Sequence, residues 1–342
     1  MWLIIGFIML LVQILLGGIT RLTGSGLSIT RWDIVTGILY PLSEEAWNVH
    51  FDLYKKTPQY EKINAVFSLS DFKFIFFWEY AHRLWARLMG LVFFFPFCWF
   101  FYKKRLDKIL IKRLFVLILL TSFVASLGWI MVSSGLINRP WVNAYKLAFH
   151  LMAAVITVAY LLYIICKREM FIRVKIFEKH IRNFFIFILG CLSLQIFLGG
   201  VVAGMRASIV APSWPLLQGK WIPNQVFEGS AYVEYVFGEY ENSAIGPIIV
   251  QFWHRSMAYL LVVLILVFVI WVYKIVGKDI GKVCMTLVML LSLQILLGIF
   301  TVLNSVGSIP LWLAVLHQLF GIVLFLYCLF VYWTRLSKSN NA

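Results

Sequence analysis

Apolar residues along the chain form eight long runs, separated by segments that hold most of the charged residues. A helix needs about 20 residues, at 1.5 Å each, to cross roughly 30 Å of hydrocarbon. The pattern therefore predicts an all-α integral membrane protein with eight transmembrane helices. The predicted spans are 1–20, 74–101, 114–134, 147–166, 184–204, 248–273, 283–303 and 311–333.

Composition supports a membrane protein, because 62% hydrophobic and 13% charged residues leave too little polar surface for a soluble globule of 342 residues. The net charge of +15 would suggest nucleic acid in a soluble protein. Here the Lys and Arg lie in loops between apolar runs, so we predict contact with membrane lipid and no nucleic acid. The cysteines lack CxxC spacing and are interpreted as small core residues: Cys98, Cys166, Cys191, Cys284 and Cys328.

Basic residues are concentrated in alternate loops. Segments 102–113 and 167–182 hold six Lys or Arg each, and 274–282 holds three. On the other side, 204–247 has two basic residues against four Glu, and 304–310 has none. Because basic loops stay in the cytoplasm, we predict cytoplasmic termini and a location in the cell (inner) membrane.

The long outer segment 21–73 is balanced, with six basic and six acidic residues. Within it, Ser43 followed by Glu44 and Glu45 is typical of a helix N-terminus. We therefore predict a short helix on the outer face.

The chain contains two similar halves of four helices each. A Gln-Ile-x-x-Gly sequence recurs in the first, fifth and seventh runs, ending at Gly17, Gly199 and Gly298. Because four is an even number, both halves have the same orientation and form parallel repeats. We place the N-terminal half at 1–166, a cytoplasmic linker at 167–182 and the C-terminal half at 183–342.

The glycines of this sequence have two interpretations. Small residues let helices approach closely, and the amide can bond across the interface. Alternatively, the pairs Gly17-Gly18 and Gly199-Gly200 thin a helix enough to admit a flat cofactor.

Four of the six histidines lie inside predicted helices, one on each even-numbered helix: His82, His150, His254 and His317. Each is within roughly 6 to 12 Å of the outer boundary, at 1.5 Å per residue. Imidazole is a standard axial ligand of haem iron, and two facing helices can each supply one. Pairing His82 with His150 and His254 with His317 gives one haem site per half. Zinc and a proton relay are the alternatives, although zinc prefers four ligands.

Arginine follows the histidine at Arg83 and at Arg255. These side chains either reach lipid headgroups or grip haem propionates in a bidentate manner. Arg87 has no counterpart, because Tyr259 occupies the matching position, and its role is open.

One acidic residue, Glu79, lies inside a predicted span. It is three residues before His82, whereas Gln251 is three residues before His254. An intramembrane carboxylate is costly and indicates function, here proton acceptance beside haem. The alternative is a structural partner for a neighbouring arginine. The difference assigns catalysis to the N-terminal half and electron transfer or a structural haem to the other.

Three segments resemble signature regions of the haem A synthase family: Gly17–Ser28, Phe72–Arg83 and Gly200–Pro223. Members oxidise a methyl group of haem O to the formyl group of haem A. The resemblance covers essentially the whole chain, and Glu-x-x-His-Arg is its most specific part. The chain lacks paired loop cysteines, and in this respect it resembles the branch of the family that is shared by proteobacteria and mitochondria. Arg206–Ser208 and Ala211–Pro212 depart from the family pattern.

The resemblance implies that His82 and His150 flank the substrate haem O, that Glu79 is the catalytic carboxylate, and that His254 and His317 ligate a haem b cofactor. The C8 methyl would pass through an alcohol and a gem-diol. An iron with two axial histidines has no open position for oxygen, which favours water as the oxygen source. Implied partners are haem O synthase (protohaem farnesyltransferase), an undetermined electron acceptor for which quinone is a candidate, and a second copy in a homo-oligomer.

A second function fits the four histidines equally well. A dihaem b-type membrane cytochrome would pass electrons between quinol and a partner without changing its haem. Two observations disfavour this interpretation: Glu79 is present in one half only, and both predicted haem sites lie in one leaflet. A haem transporter or chaperone, the third reading, would need one weakly held haem.

Overall fold

The computed structural model describes residues 1–31, 38–136, 140–168, 178–227, 234–238, 240 and 243–336. Within them the chain is helical and has no β-strand, apart from one isolated bridge between Leu217 and Lys220. The α-helices of these residues are α1 (Trp2–Leu22), α2 (Glu44–Tyr54), α3 (Leu69–Tyr102), α4 (Lys108–Gly135), α5 (Ala144–Arg168), α6 (Lys179–Gly204), α7 (Ala207–Val210), α8 (Ile245–Val276), α9 (Gly281–Leu303) and α10 (Leu311–Val331).

Seven stretches of the described chain are long and apolar enough to cross a membrane. One of them, Ile245–Leu303, contains two α-helices, α8 and α9, separated by the 3-10 turn Gly277–Ile280. Apart from Met1, which is the N-cap of α1, every residue of the predicted spans lies inside one of these stretches. Residues 332 and 333 fall in the π-helical turn Tyr332–Leu336 after α10. The all-helical, multi-pass architecture is confirmed, and the count of eight crossings stays a prediction.

Large apolar side chains point outward from these helices. Phe94 and Phe95 on α3, Phe123 on α4, Val263 on α8 and Met289 on α9 are each more than half exposed. A soluble protein rarely leaves so much contiguous apolar surface in water. The outward faces of the helices therefore suit lipid.

The chain separates into two compact units, Met1–Thr157 and Val158–Ala342, with the boundary inside α5. The predicted halves 1–166 and 183–342 stay predictions. Residues 169–177 of the predicted linker lie outside the described residues.

In the first unit, α1 packs along α3 through polar side chains that reach the opposite backbone. The Gln13 amide donates to the His82 carbonyl at 3.3 Å, and the Thr20 hydroxyl donates to the Trp78 carbonyl at 3.2 Å. Such bonds join helices in lipid, where no hydrophobic force acts between them. The Gln of the repeated sequence is therefore a helix-pairing residue in α1.

The short outer helix predicted from sequence is α2. Ser43 is its N-cap, and the serine oxygen accepts from the Ala46 N–H at 3.1 Å. This start is confirmed. Residues of α2 form an aromatic cluster with the first turns of α3, whose buried members are Trp47, Phe51, Tyr54, Phe72, Ile75 and Phe76.

Buried hydrogen bonds join this aromatic cluster to the segment after α1. The Tyr54 hydroxyl donates to Gln59 Oε1 at 3.1 Å, and Gln59 Nε2 donates to the Gly24 carbonyl at 2.9 Å. Burial raises the pKa of Tyr54 to about 12, so this hydroxyl stays a neutral donor at physiological pH. The loop that follows α1 is thereby fixed against α2.

In the second unit, α6 packs on α8 and α9 packs on α10. The first contact repeats the packing of α1 on α3. Gly277, with a φ of +74°, ends α8 in a conformation that favours glycine. The four-residue helix α7 follows Arg206 and packs against α8, so the chain after α6 returns to the helix that carries His254.

Candidate functional site

Two histidines of the C-terminal unit face each other. His254 lies on α8 and His317 on α10, with ring centroids 6.3 Å apart and ring planes at 82°. The Nδ1 atom of His317 lies 3.1 Å from the Gln294 carbonyl oxygen. Because a carbonyl only accepts hydrogen bonds, this contact places the proton on Nδ1 and leaves the Nε2 lone pair for a metal.

This spacing fits two axial ligands of one iron. A metal–imidazole bond is about 2.0–2.1 Å long. If both rings bound one iron through Nε2, two such bonds with the radius of each ring added would span close to the observed 6.3 Å between centroids. No group of three or more His, Cys, Asp or Glu that can hold a metal ion occurs in the described part of the chain. Haem therefore fits the donor set better than zinc does, and the haem b assignment stays a prediction.

Arg255 and Gln251 hold a loop carbonyl beside this pair. Arg255 Nη2 and Gln251 Nε2 lie 3.4 and 3.3 Å from the Ala211 oxygen and donate to it. The Nε and Nη1 atoms of Arg255 are buried, and among the described residues they have no hydrogen-bond partner. Buried guanidinium donors normally find an acceptor, and a carboxylate is the strongest one. These donors fit an anionic group such as a propionate, the role predicted for Arg255.

Glu79 occupies the corresponding place in the N-terminal unit and is only 2% exposed. Its Oε2 accepts from the Ser28 hydroxyl at 2.7 Å and from the Ile29 N–H at 2.8 Å. Its Oε1 pairs with Arg83 Nη2 at 2.5 Å. Three donors thus offset the cost of burying the carboxylate.

Arg83 lies one turn after Glu79 and contacts the same loop. Its Nη2 donates to the Ile29 carbonyl at 3.2 Å, and its Nη1 donates to the Arg31 carbonyl at 3.4 Å. These contacts are those of a structural ion pair, one of the two interpretations that the sequence allows for Glu79. Proton transfer by Glu79 and propionate binding by Arg83 both stay predictions.

The other predicted pair, His82 on α3 and His150 on α5, lies in the N-terminal unit. Each predicted pair therefore falls within one unit, and a ring-to-ring contact is shown for His254 and His317. Ligation of haem O by His82 and His150 stays a prediction.

The repeat extends to a backbone contact that the sequence did not reveal. Ile29 and Ala211 each lie twelve residues after the motif glycine, Gly17 or Gly199. Each carbonyl accepts from the arginine that follows the histidine of its own unit. Because only the backbone of Ala211 is used, the departure from the family pattern at this position leaves the contact intact.

Comparison with known proteins gives near full-length matches. Residues 1–329 match the COX15-CtaA family model, described as cytochrome oxidase assembly protein. The chain is 41% identical over 331 residues to a protein of Flavobacterium johnsoniae named Heme A synthase, covering 94% of the chain and 93% of the relative. A Rickettsia africae protein of the same name is 36% identical over 342 residues, covering 99% and 98%. One from Rickettsia felis is 37% identical over 336 residues, covering 96% of each.

Proposed function

Because the chain belongs to the COX15-CtaA family of cytochrome oxidase assembly proteins, we propose that it is a haem A synthase, an oxidoreductase that converts a methyl group of haem O into the formyl group of haem A. The observation that carries this proposal is 41% identity, over 94% of the chain, to a protein named Heme A synthase. The buried carboxylate beside the His82–His150 pair supports it, since a redox carrier needs no such group there.

The proposed chemistry is two successive two-electron oxidations of the C8 methyl. In each oxidation two electrons and two protons are released and water adds to the reacting carbon. The first oxidation gives the alcohol and the second gives the gem-diol. The gem-diol loses one water to give the aldehyde, so the net change consumes one water and releases four electrons and four protons. A quinone is the class of acceptor that we propose for the electrons.

In this scheme His82 and His150 hold the iron of the substrate haem O, and Glu79 accepts protons released from the reacting carbon. The Ser28 hydroxyl and Ile29 N–H hold the Glu79 carboxylate in place, and Arg83 balances its charge. With both axial positions taken by histidine, oxygen is supplied by water.

In the C-terminal unit we propose that His254 and His317 bind haem b as a resident cofactor. Arg255 would hold a propionate with the donors that have no partner among the described residues. Haem b supplies one-electron transfer when bound. Gln251, which replaces the carboxylate of the other unit, cannot serve as a base.

We further propose eight membrane crossings with both termini in the cytoplasm of a bacterial cell. Reporters fused after Arg105, Lys175 and Lys278 should then report the cytoplasm, and fusions near Gly219 and Ser305 the exterior, because basic residues are concentrated on one side. Activity of a two-compartment reporter, such as alkaline phosphatase against a fluorescent protein, measures this. An exterior signal after Arg105 would overturn the topology.

The function is tested by haem analysis in cells. A host that makes haem O but lacks a haem A synthase should accumulate haem A once this chain is expressed. Extracted haems are separated by chromatography. If haem O persists unchanged while a dihaem b spectrum appears in the membranes, the chain is an electron-carrying cytochrome and the proposal is wrong.

A further inference from the structure

Each of the four histidines predicted to lie in the membrane is in close contact with a glycine of another helix. A Cβ atom added to these glycines would lie 3.2 Å from His82 Nε2 at Gly17, 3.0 Å from His150 Cε1 at Gly128, 3.2 Å from His254 Cε1 at Gly199 and 2.8 Å from His317 Cε1 at Gly298.

An added Cβ would be crowded at all four positions, most of all at Gly298. Real Cβ contacts essentially never fall below 3.0 Å, and those between 3.0 and 3.4 Å require the neighbour to give way. Gly90 and Gly190 would have nothing within 4 Å of an added Cβ. Tight contacts also occur at Gly135, Gly246 and Gly321, but against residues other than histidine. Glycine weakens a helix interior, so its use at all four histidines needs a local reason.

We propose that Gly17, Gly128, Gly199 and Gly298 are positioning residues that set the rotation of the histidine rings. The proposal rests on the proposed function for the haem, and it adds residues that act through the ligands without touching iron. In the C-terminal unit the two glycines hold the ring planes of His254 and His317 at the observed 82°. Fixing ligand orientation is a known way in which surroundings tune a metal site.

The two glycines of this unit differ in how far the histidine ring in contact with each of them can rotate. At Gly298 the contact is 2.8 Å, and the His317 ring is also held by the Gln294 carbonyl at 3.1 Å. An added methyl there must push the ring off that hydrogen bond. At Gly199 the contact is 3.2 Å, and the His254 ring is held only by a longer contact of 3.4 Å between its Nε2 and the Gln195 side-chain nitrogen. The His254 ring can therefore turn at lower cost.

The test compares Gly298→Ala and Gly199→Ala with Gly190→Ala, a matched control on α6. Purified proteins are titrated with haem b, and the electron paramagnetic resonance spectrum of the ferric form is recorded, since its largest g value depends on the angle between the axial imidazole planes. We expect Gly298→Ala to lower haem b affinity about 10-fold or more. Gly199→Ala should keep haem b with a shifted g value, and Gly190→Ala should match the wild type.

Two outcomes separate this proposal from the proposed function. If Gly298→Ala and Gly199→Ala both keep wild-type affinity and g values while His317→Ala loses haem b, the glycines do not position the ligands. If His317→Ala keeps haem b, the ligand assignment itself is wrong. If Gly298→Ala fails to accumulate in membranes, the milder variant Gly199→Ala tests the proposal. A g value equal to that of the wild type would then contradict a positioning role.

Discussion

Glu79→Gln should lower conversion of haem O to haem A by about 10²- to 10⁴-fold, the usual contribution of general acid–base catalysis, while haem b stays bound. Glutamine keeps the shape of the side chain and still offers an oxygen to the Ser28 hydroxyl and the Ile29 N–H. It loses only the charge and the ability to take a proton. Haem O or a hydroxylated intermediate should accumulate in extracts separated by chromatography.

The ion pair with Arg83 makes a matched control necessary, because breaking a buried pair can destabilise a protein by itself. Arg83→Gln breaks the same pair but leaves the carboxylate. If both variants lose haem b and membrane yield equally, Glu79 is structural. Near-normal haem A from Glu79→Gln would show that the carboxylate at position 79 is not what makes the N-terminal unit catalytic, and that its replacement by Gln251 in the other unit has no chemical meaning.

His254→Ala and His317→Ala should each remove haem b and its low-spin, bis-histidine absorbance. Alanine supplies no ligand, and one remaining imidazole holds the iron from one side only. His180→Ala is the control, because His180 lies in the first turn of α6 on the predicted cytoplasmic side and should not affect haem b. Full haem b absorbance in both variants would contradict the ligand assignment.

Much of the candidate site could be predicted because its residues are rare in apolar surroundings. Four histidines and one carboxylate are conspicuous inside long apolar runs, and their distribution over two halves predicted the pair of His254 and His317 that the structure brings together. The outer helix was equally accessible, since Ser43 and the two following glutamates mark its start.

Other parts could not be predicted, because they use groups that every residue has. The Ile29 and Ala211 carbonyls accept hydrogen bonds through the backbone, so their side chains give no signal. Gly128 was missed because Val124 replaces the glutamine that marks the other three histidine-contacting glycines. The start of α3 at Leu69, before the predicted residue 74, follows from the capping box of Ser68 and Asp71.

Oxidation of haem O by this chain is tested most directly with the purified protein. The wild-type chain in lipid nanodiscs, containing its own haem b, is given haem O and a soluble quinone, and the haems are extracted and separated over time. We expect haem O to decrease as a hydroxylated intermediate and then haem A appear, with two quinones reduced per haem A. If haem O stays bound and unchanged while the quinone is reduced by another donor, this chain does not oxidise haem O.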